Sequence, residues 1–127
     1  MLPRRFFVIL LFLLTHAAPV VPAESLPETI NYLIDYVAKS KATFIRNGTE
    51  HSAAEAAAHI RAKYEHFKSE IKTPEDFIRL AASRSLLSGK PYLVRVPGGK
   101  EQRLDEWLTG ILRNYRAKSP YHPILNE

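Results

Sequence analysis

The chain has 127 residues, with 18 basic and 13 acidic side chains and a formal net charge of +5. It contains no cysteine, which excludes disulfides, thiol catalysis and cysteine-bound metals. Its charges are well mixed rather than gathered in the basic stripe that nucleic-acid binding needs, so nucleic acid is not an expected partner. Weak attraction to anionic envelope surfaces is allowed but not implied.

The first 23 residues have the layout of a cleavable secretory signal peptide. Arg4 and Arg5 give a positive start, and residues 6–14 form an uninterrupted apolar run. This run is about half of the roughly 20 apolar residues that a spanning helix needs, so no stable membrane anchor is expected after cleavage. Small residues and prolines then lead to a cut between Ala23 and Glu24, and we expect one domain over residues 24–118.

Apolar residues at helical spacing predict a first helix over residues 26–39. Ser25 and Glu28 have the spacing of a capping box at its start. Residues 43–46 are mostly β-branched or aromatic and predict a short strand, and Asn47-Gly48 predicts a turn after it.

A second helix is predicted to begin at a second capping box, Ser52 with Glu55. A third should begin at Thr73 as N-cap, with Pro74 in its first turn, and should end near Leu87 because glycine and proline follow.

Residues 92–96 predict a second strand, and residues 101–104 predict a return strand after a Pro-Gly-Gly turn. A fourth helix follows over residues 105–116, with Trp107 largely buried on its inner face. Residues 119–127 hold two prolines and predict an extended or disordered tail. The expected fold is α+β and mainly helical, with about four helices and a small antiparallel sheet of two or three strands.

Three segments together carry a resemblance to a known family. They are FIRNG at residues 44–48, EAAAHIRAK at 55–63 and SGKPYLV at 88–94. In this order they resemble the YfeK-like family of small bacterial periplasmic proteins, a domain family of unknown function, over roughly residues 30–96. The resemblance implies a Gram-negative periplasmic protein and no particular reaction. Members of that family often carry a cysteine near the first or second segment, and this chain has none.

Two loops form the predicted binding site. Both border predicted strands and hold glycine, and the start of the second helix offers free N–H groups to an anion. The plain alternative is that both loops are tight connections. The residues of the predicted site are Arg46, Asn47, Gly48, Ser88, Gly89 and Lys90.

A second polar group lies at one-turn spacing on the second helix: His51, Glu55, His59 and Lys63. A histidine and a carboxylate one turn apart can share a metal ion. With only two imidazoles and no cysteine in the group, an exposed helix face with paired charges is the favoured interpretation, and no metal or cofactor is predicted.

Serines at positions 83, 85 and 88 raise the alternative of a hydrolase with His59 as base. No nucleophile elbow is present, and the serines suit a helix end and turn. The sequence therefore favours a non-enzymatic periplasmic module that recognises an anionic group or peptide. Its expected partner is an envelope protein, a peptide or a cell-wall component. The alternative is a small periplasmic hydrolase acting on peptide or cell-wall material.

Overall fold

The computed structural model describes residues 23–119, together with residue 17. The predicted signal peptide and tail fall mainly on residues 1–16, 18–22 and 120–127, which lie outside the described residues. Over 23–119 the chain forms four helices and four strands, which confirms the α+β class. They are α1 Leu26–Lys39, β1 Thr43–Arg46, β2 Thr49–His51, α2 Ala53–Phe67, α3 Pro74–Ala81, β3 Leu93–Arg95, β4 Glu101–Arg103 and α4 Leu104–Lys118.

The strands form one antiparallel sheet in the order β2-β1-β3-β4. The expectation of two or three strands was therefore wrong by one, and the additional strand is β2. Asn47 and Gly48 have φ of 51° and 76°, as a two-residue type I′ hairpin turn requires. This turn sends the chain back along β1, with Arg46 opposite Thr49.

All three predicted N-cap positions are confirmed, but only two of them have a side-chain cap hydrogen bond. The Ser52 hydroxyl accepts from the Glu55 amide in a complete capping box at α2, and Thr73 does the same with Asp76 at α3. Ser25 lies at the N-cap of α1 but makes no side-chain cap hydrogen bond, so the capping box predicted there was wrong.

Helix α3 ends at Ala81, which corrects the predicted end near Leu87. Beyond it, residues 83–92 form a hairpin-like loop, named here the 83–92 loop. The Tyr92 amide donates to the Ser83 carbonyl at 3.0 Å, and the Ser85 amide donates to the Lys90 carbonyl at 3.0 Å. These cross-loop bonds replace the helical ones, so the serines lie in a loop and not on a helix.

The core lies between the helices and the sheet, with Leu33, Phe77, Val94 and Leu108 fully buried. Trp107 is partly buried and packs against the rim of this core, where its ring meets those of Tyr36 and Phe44. Among the described residues, no helix is both long and apolar enough to cross a membrane.

Candidate functional site

A pocket of about 190 Å³ lies between strands β1 to β3 and the first half of α2. It is smaller than the roughly 300–1,000 Å³ of sites for drug-sized ligands, so it suits one end group of a larger molecule. Its wall is largely apolar, with a few polar side chains. We call this cavity the basic pocket. It is lined by Phe44, Ile45, Arg46, His51, Glu55, Ala56, His59, Ile60, Tyr92, Leu93 and Leu104.

Side chains from three elements form a continuous polar chain along this pocket. The Arg46 guanidinium from β1 lies 2.7 Å from His59 Nδ1 on α2. His59 Nε2 lies 3.0 Å from the Tyr92 hydroxyl, next to β3. Lys63, one turn further along α2, donates to that hydroxyl at 3.1 Å.

The guanidinium fixes the tautomer of His59. Arginine carries only donors, so Nδ1 must accept from Arg46. A neutral imidazole then carries its proton on Nε2 and donates to Tyr92. Protonation of His59 at Nδ1 would break the bond to Arg46.

Tyr92 and Lys63 hold the other end of the chain. The Lys63 ammonium is buried and also donates to the Arg84 carbonyl at 2.8 Å. With His59 and Lys63 both donating to its oxygen, the Tyr92 hydroxyl keeps its own proton to donate. Arg46 likewise has four N–H donors beyond the one given to His59. These donors can meet an acceptor in the pocket.

The site carries positive charges that no acidic partner neutralises in the part of the chain that the structure describes. Burial, followed by the charges of Arg46, Lys63 and His51, holds the pKa of His59 below its ordinary value. Burial and the charge of Arg46 lower the pKa of Lys63, and burial raises the pKa of Tyr92. Over residues 23–119, no carboxylate forms an ion pair with Arg46 or Lys63.

Glu55, the acidic residue of the predicted helix face, pairs with His51 and Ser52 and not with Arg46 or Lys63. Glu55 lines the pocket, but its carboxylate lies 3.3 Å from His51 Nδ1 and accepts from the Ser52 amide at 3.2 Å. In the part of the chain that the structure describes, no three histidine, aspartate or glutamate side chains are grouped so as to hold a metal ion. The four residues that the sequence predicted on one helix face therefore form two groups. His59 and Lys63 belong to the polar chain, whereas His51 and Glu55 pair with each other beside it.

The two predicted loops do meet, and Asn47 joins them. Its side chain donates to the Ser85 hydroxyl at 3.2 Å and accepts from the Ser88 hydroxyl. Ser88 in turn accepts from the Lys90 amide at 3.2 Å. This clasp pins the 83–92 loop to the β1–β2 turn.

The charged members of the predicted site lie in different depressions. Arg46 lines the basic pocket, whereas Lys90 lines a separate groove with Asn47, Gly48 and Glu50. Arg46 and Lys90 thus do not line one pocket. Gly89 contributes to the turn, where its amide donates to the Ser85 carbonyl at 2.9 Å.

His59 contacts none of the candidate serines. Its two ring nitrogens are engaged by Arg46 and Tyr92. The Ser83 hydroxyl donates to the Arg79 carbonyl, and Ser85 and Ser88 contact Asn47. The geometry that a nucleophilic serine requires is absent from these described contacts.

Sequence reasoning missed Tyr92 as a site residue. It was read as the first residue of a strand, and no local pattern links it to α2. Its place depends on the 83–92 loop and on the pairing of β3 with β1, which are tertiary features.

These features define a small α+β domain with a basic pocket between its sheet and one helix. The chain belongs to a family of unknown function, DUF5329, whose sequence model matches residues 24–116. This match begins at the first residue of the expected mature domain and ends within α4.

The chain is also similar to the uncharacterized protein YfeK of Salmonella typhimurium strain LT2. The two are 42% identical over 64 residues, which is 50% of this chain and 53% of the YfeK sequence. The match thus spans about half the length of that relative. The resemblance to a YfeK-like family is confirmed, and no solved structure matches the chain.

Proposed function

We propose that the domain is a binding module for an anionic end group, a carboxylate of a peptide or cell-wall fragment, held in the basic pocket. One observation carries the proposal. Arg46 lines the pocket, and the buried Lys63 adjoins it through Tyr92. Both cations have only neutral partners: the ring of His59, the hydroxyl of Tyr92 and the Arg84 carbonyl.

Among the described residues, several other arginines of the domain have a carboxylate partner, and those without one, Arg61, Arg84 and Arg113, are exposed to solvent. Arg95, Arg103 and Arg116 each contact a carboxylate, so their charges are compensated within the fold. A charge held partly away from water without a counterion raises the free energy of the empty site. An entering carboxylate would relieve that cost, and Arg46 can present two N–H groups to it in parallel.

The hydrolase alternative has no comparable support, because His59 is engaged by Arg46 and Tyr92 and contacts no serine. A neutral imidazole that fixes a guanidinium is a positioning element. Binding without catalysis is therefore the function we put forward.

Two small ligands that differ in one group test the proposal. N-acetyl-alanyl-alanine carries a free carboxylate, and its C-terminal amide carries none. We expect the acid to shift the NMR signals of His59 and Tyr92 and the amide to leave them unchanged.

Arg46→Gln should weaken binding of the acid by about tenfold or more, since hydrogen bonds to charged groups contribute about 1.5–3 kcal/mol. Arg61→Gln is the matched control, because Arg61 is an exposed arginine on α2 that does not line the pocket and donates to Asn31 on α1 at 3.4 Å. Equal binding of acid and amide, or an Arg46→Gln variant that binds like the parent, would overturn the proposal.

We further propose that the chain is exported to the periplasm and that residues 1–23 are removed. The support is the charged and apolar N-terminal pattern and the family resemblance. N-terminal sequencing of the secreted fraction should give Glu24 as the first residue, and a chain that keeps Met1 in the membrane fraction would contradict this.

A further inference from the structure

The 83–92 loop presents two adjacent leucines to solvent. Leu86 is 66% exposed and Leu87 is 96% exposed, more than any other large apolar side chain in the described part of the chain. Single exposed leucines are ordinary, but two side by side at a loop tip form an apolar point without a partner.

The 83–92 loop that carries these leucines is held in place by several hydrogen bonds. Its two arms are joined by the Ser83–Tyr92 and Ser85–Lys90 backbone hydrogen bonds and by a bridge between Arg84 and Pro91. Asn47 clasps it from the β1–β2 turn, and Lys63 holds the Arg84 carbonyl from below. The leucines therefore have a fixed position at the tip.

The flanks of the tip are cationic. Arg84 and Lys90 bracket the leucines and are exposed, and the sequence holds no acidic residue between Asp76 and Glu101. Glu50 and Glu101 share a groove with Lys90, but both carboxylates are paired with Arg95. Arg84 shares another groove with Glu75, Asp105 and Glu106, and these carboxylates are paired with Arg116 and Arg103. The positive charges of Arg84 and Lys90 are therefore not neutralised by these carboxylates and can attract an anionic surface.

We propose that the 83–92 loop is a reversible contact for anionic lipid surfaces, with Leu86 and Leu87 entering the interface. An apolar tip flanked by cations matches a surface of negative headgroups over hydrocarbon. A stable protein interface buries about 800 Å² on each partner, which two leucines do not supply. A lipid surface needs no matching pocket, so a small protruding tip is sufficient for weak binding.

Co-sedimentation of the full mature chain with vesicles tests this proposal. Vesicles of phosphatidylcholine with phosphatidylglycerol should bind the protein, and vesicles of pure phosphatidylcholine should bind it several-fold less. Binding to the mixed vesicles should fall at high salt, because the cationic contribution is screened.

The double variant Leu86→Ser, Leu87→Ser should lose about tenfold or more of the vesicle binding. Arg84→Gln and Lys90→Gln should each cost about fivefold, the effect expected of one cation near an anionic leaflet. Tyr36→Ser, at an exposed ring outside the loop, and Arg113→Gln, at an exposed position on α4, are the matched controls. Thermal unfolding followed by circular dichroism verifies that each variant is folded.

Two results would overturn the proposal: a parent protein that does not bind mixed vesicles, and binding that the double leucine variant leaves unchanged. Sedimentation equilibrium separates a third case. A dimer that the double variant abolishes would assign the tip to a second copy of the chain instead of lipid. Arg46→Gln should keep vesicle binding, so failure of this proposal is distinguishable from failure of the carboxylate site.

Discussion

At the scale of single residues, His59 couples the basic pocket to pH. Arg46 can donate to Nδ1 only while the imidazole is neutral. Burial and the neighbouring cations favour that neutral form, which is why the pKa of His59 lies below its ordinary value of 6.5. Acid therefore opposes the folded arrangement of this side chain.

The sign of the effect on stability follows from proton binding. As the pH falls below about 6.5, the unfolded chain takes up a proton at position 59 before the folded chain does. The free energy of unfolding should therefore decrease on acidification through this window and level off below the folded pKa. Urea unfolding of the parent at pH 7.5 and pH 5 measures the decrease.

His59→Gln should reduce this acid-side loss of stability, because glutamine does not titrate. His66→Gln removes an imidazole at an exposed position outside the pocket and should keep the loss seen in the parent. If the His59 variant shows the same pH dependence as the parent, the assigned Arg46–His59 contact is wrong.

The sequence indicated part of this site. His59 and Lys63 stood out because they lie four residues apart, and this spacing is a local property of a helix. Arg46 was predicted as part of the two-loop site, beside Asn47 and together with Lys90. Its true partner depends on how β1 packs against α2, which no spacing along the chain encodes.

At the scale of elements, two identical sequence patterns have different outcomes. Ser25 and Ser52 each precede a glutamate by three residues, but only Ser52 forms a capping box. Pro27 lies in the first turn of α1 and has no N–H to donate. The Thr29 hydroxyl donates to the Ser25 carbonyl at 2.8 Å and fastens that turn in another way.

This contrast predicts different costs for the same substitution. Ser52→Ala should lower the free energy of unfolding by about 1 kcal/mol, the usual value of an N-cap. Ser25→Ala should change it by less than about 0.5 kcal/mol, as at ordinary surface positions. Urea midpoints of the two variants measure the difference, and equal costs would show that the caps are not distinguished as described.

The element boundaries that were missed have physical reasons. Strand β2 follows the Asn47-Gly48 turn, and this dipeptide is itself a hairpin signal that predicts a returning strand. Its three residues are mostly exposed and carry no apolar pattern, so the turn was the available clue. The early end of α3 depends on pairing of Ser83 with Tyr92, a contact outside the local sequence.

At the scale of the whole molecule, one arginine closes the domain by joining its first segment to the third and fourth helices. Arg116 on α4 donates from Nε and a terminal nitrogen to the Glu24 carboxylate at 2.9 and 3.0 Å. It also donates to Glu75 in the first turn of α3. The segment before α1 is thus joined to two helices that follow it much later in the chain. The helices themselves were predictable from apolar periodicity, whereas this closure joins residues 92 positions apart.

Removal of this closure should cost stability at neutral pH. Arg116→Met keeps the apolar stem and removes the charge, and we expect the free energy of unfolding to fall by about 1–2 kcal/mol, because bidentate charged pairs exceed ordinary surface pairs. Arg113→Met is the control. Arg113 is exposed, forms no ion pair among residues 23–119, and should change stability by less than about 0.5 kcal/mol.

The same contact predicts how this difference depends on acid. The hydrogen bond from Arg116 is the main reason that the pKa of Glu75 lies below its ordinary value of 4.5. The stability from this pair is therefore fully present above about pH 4.5 and is lost as the pH falls through the lower folded value. The gap in unfolding free energy between the parent and Arg116→Met should be largest near pH 7 and should narrow below pH 4.5. Urea unfolding over pH 3–7 measures it, and a gap that stays constant across that range would mean that Arg116 stabilises the domain through its packing and not through its carboxylate partners.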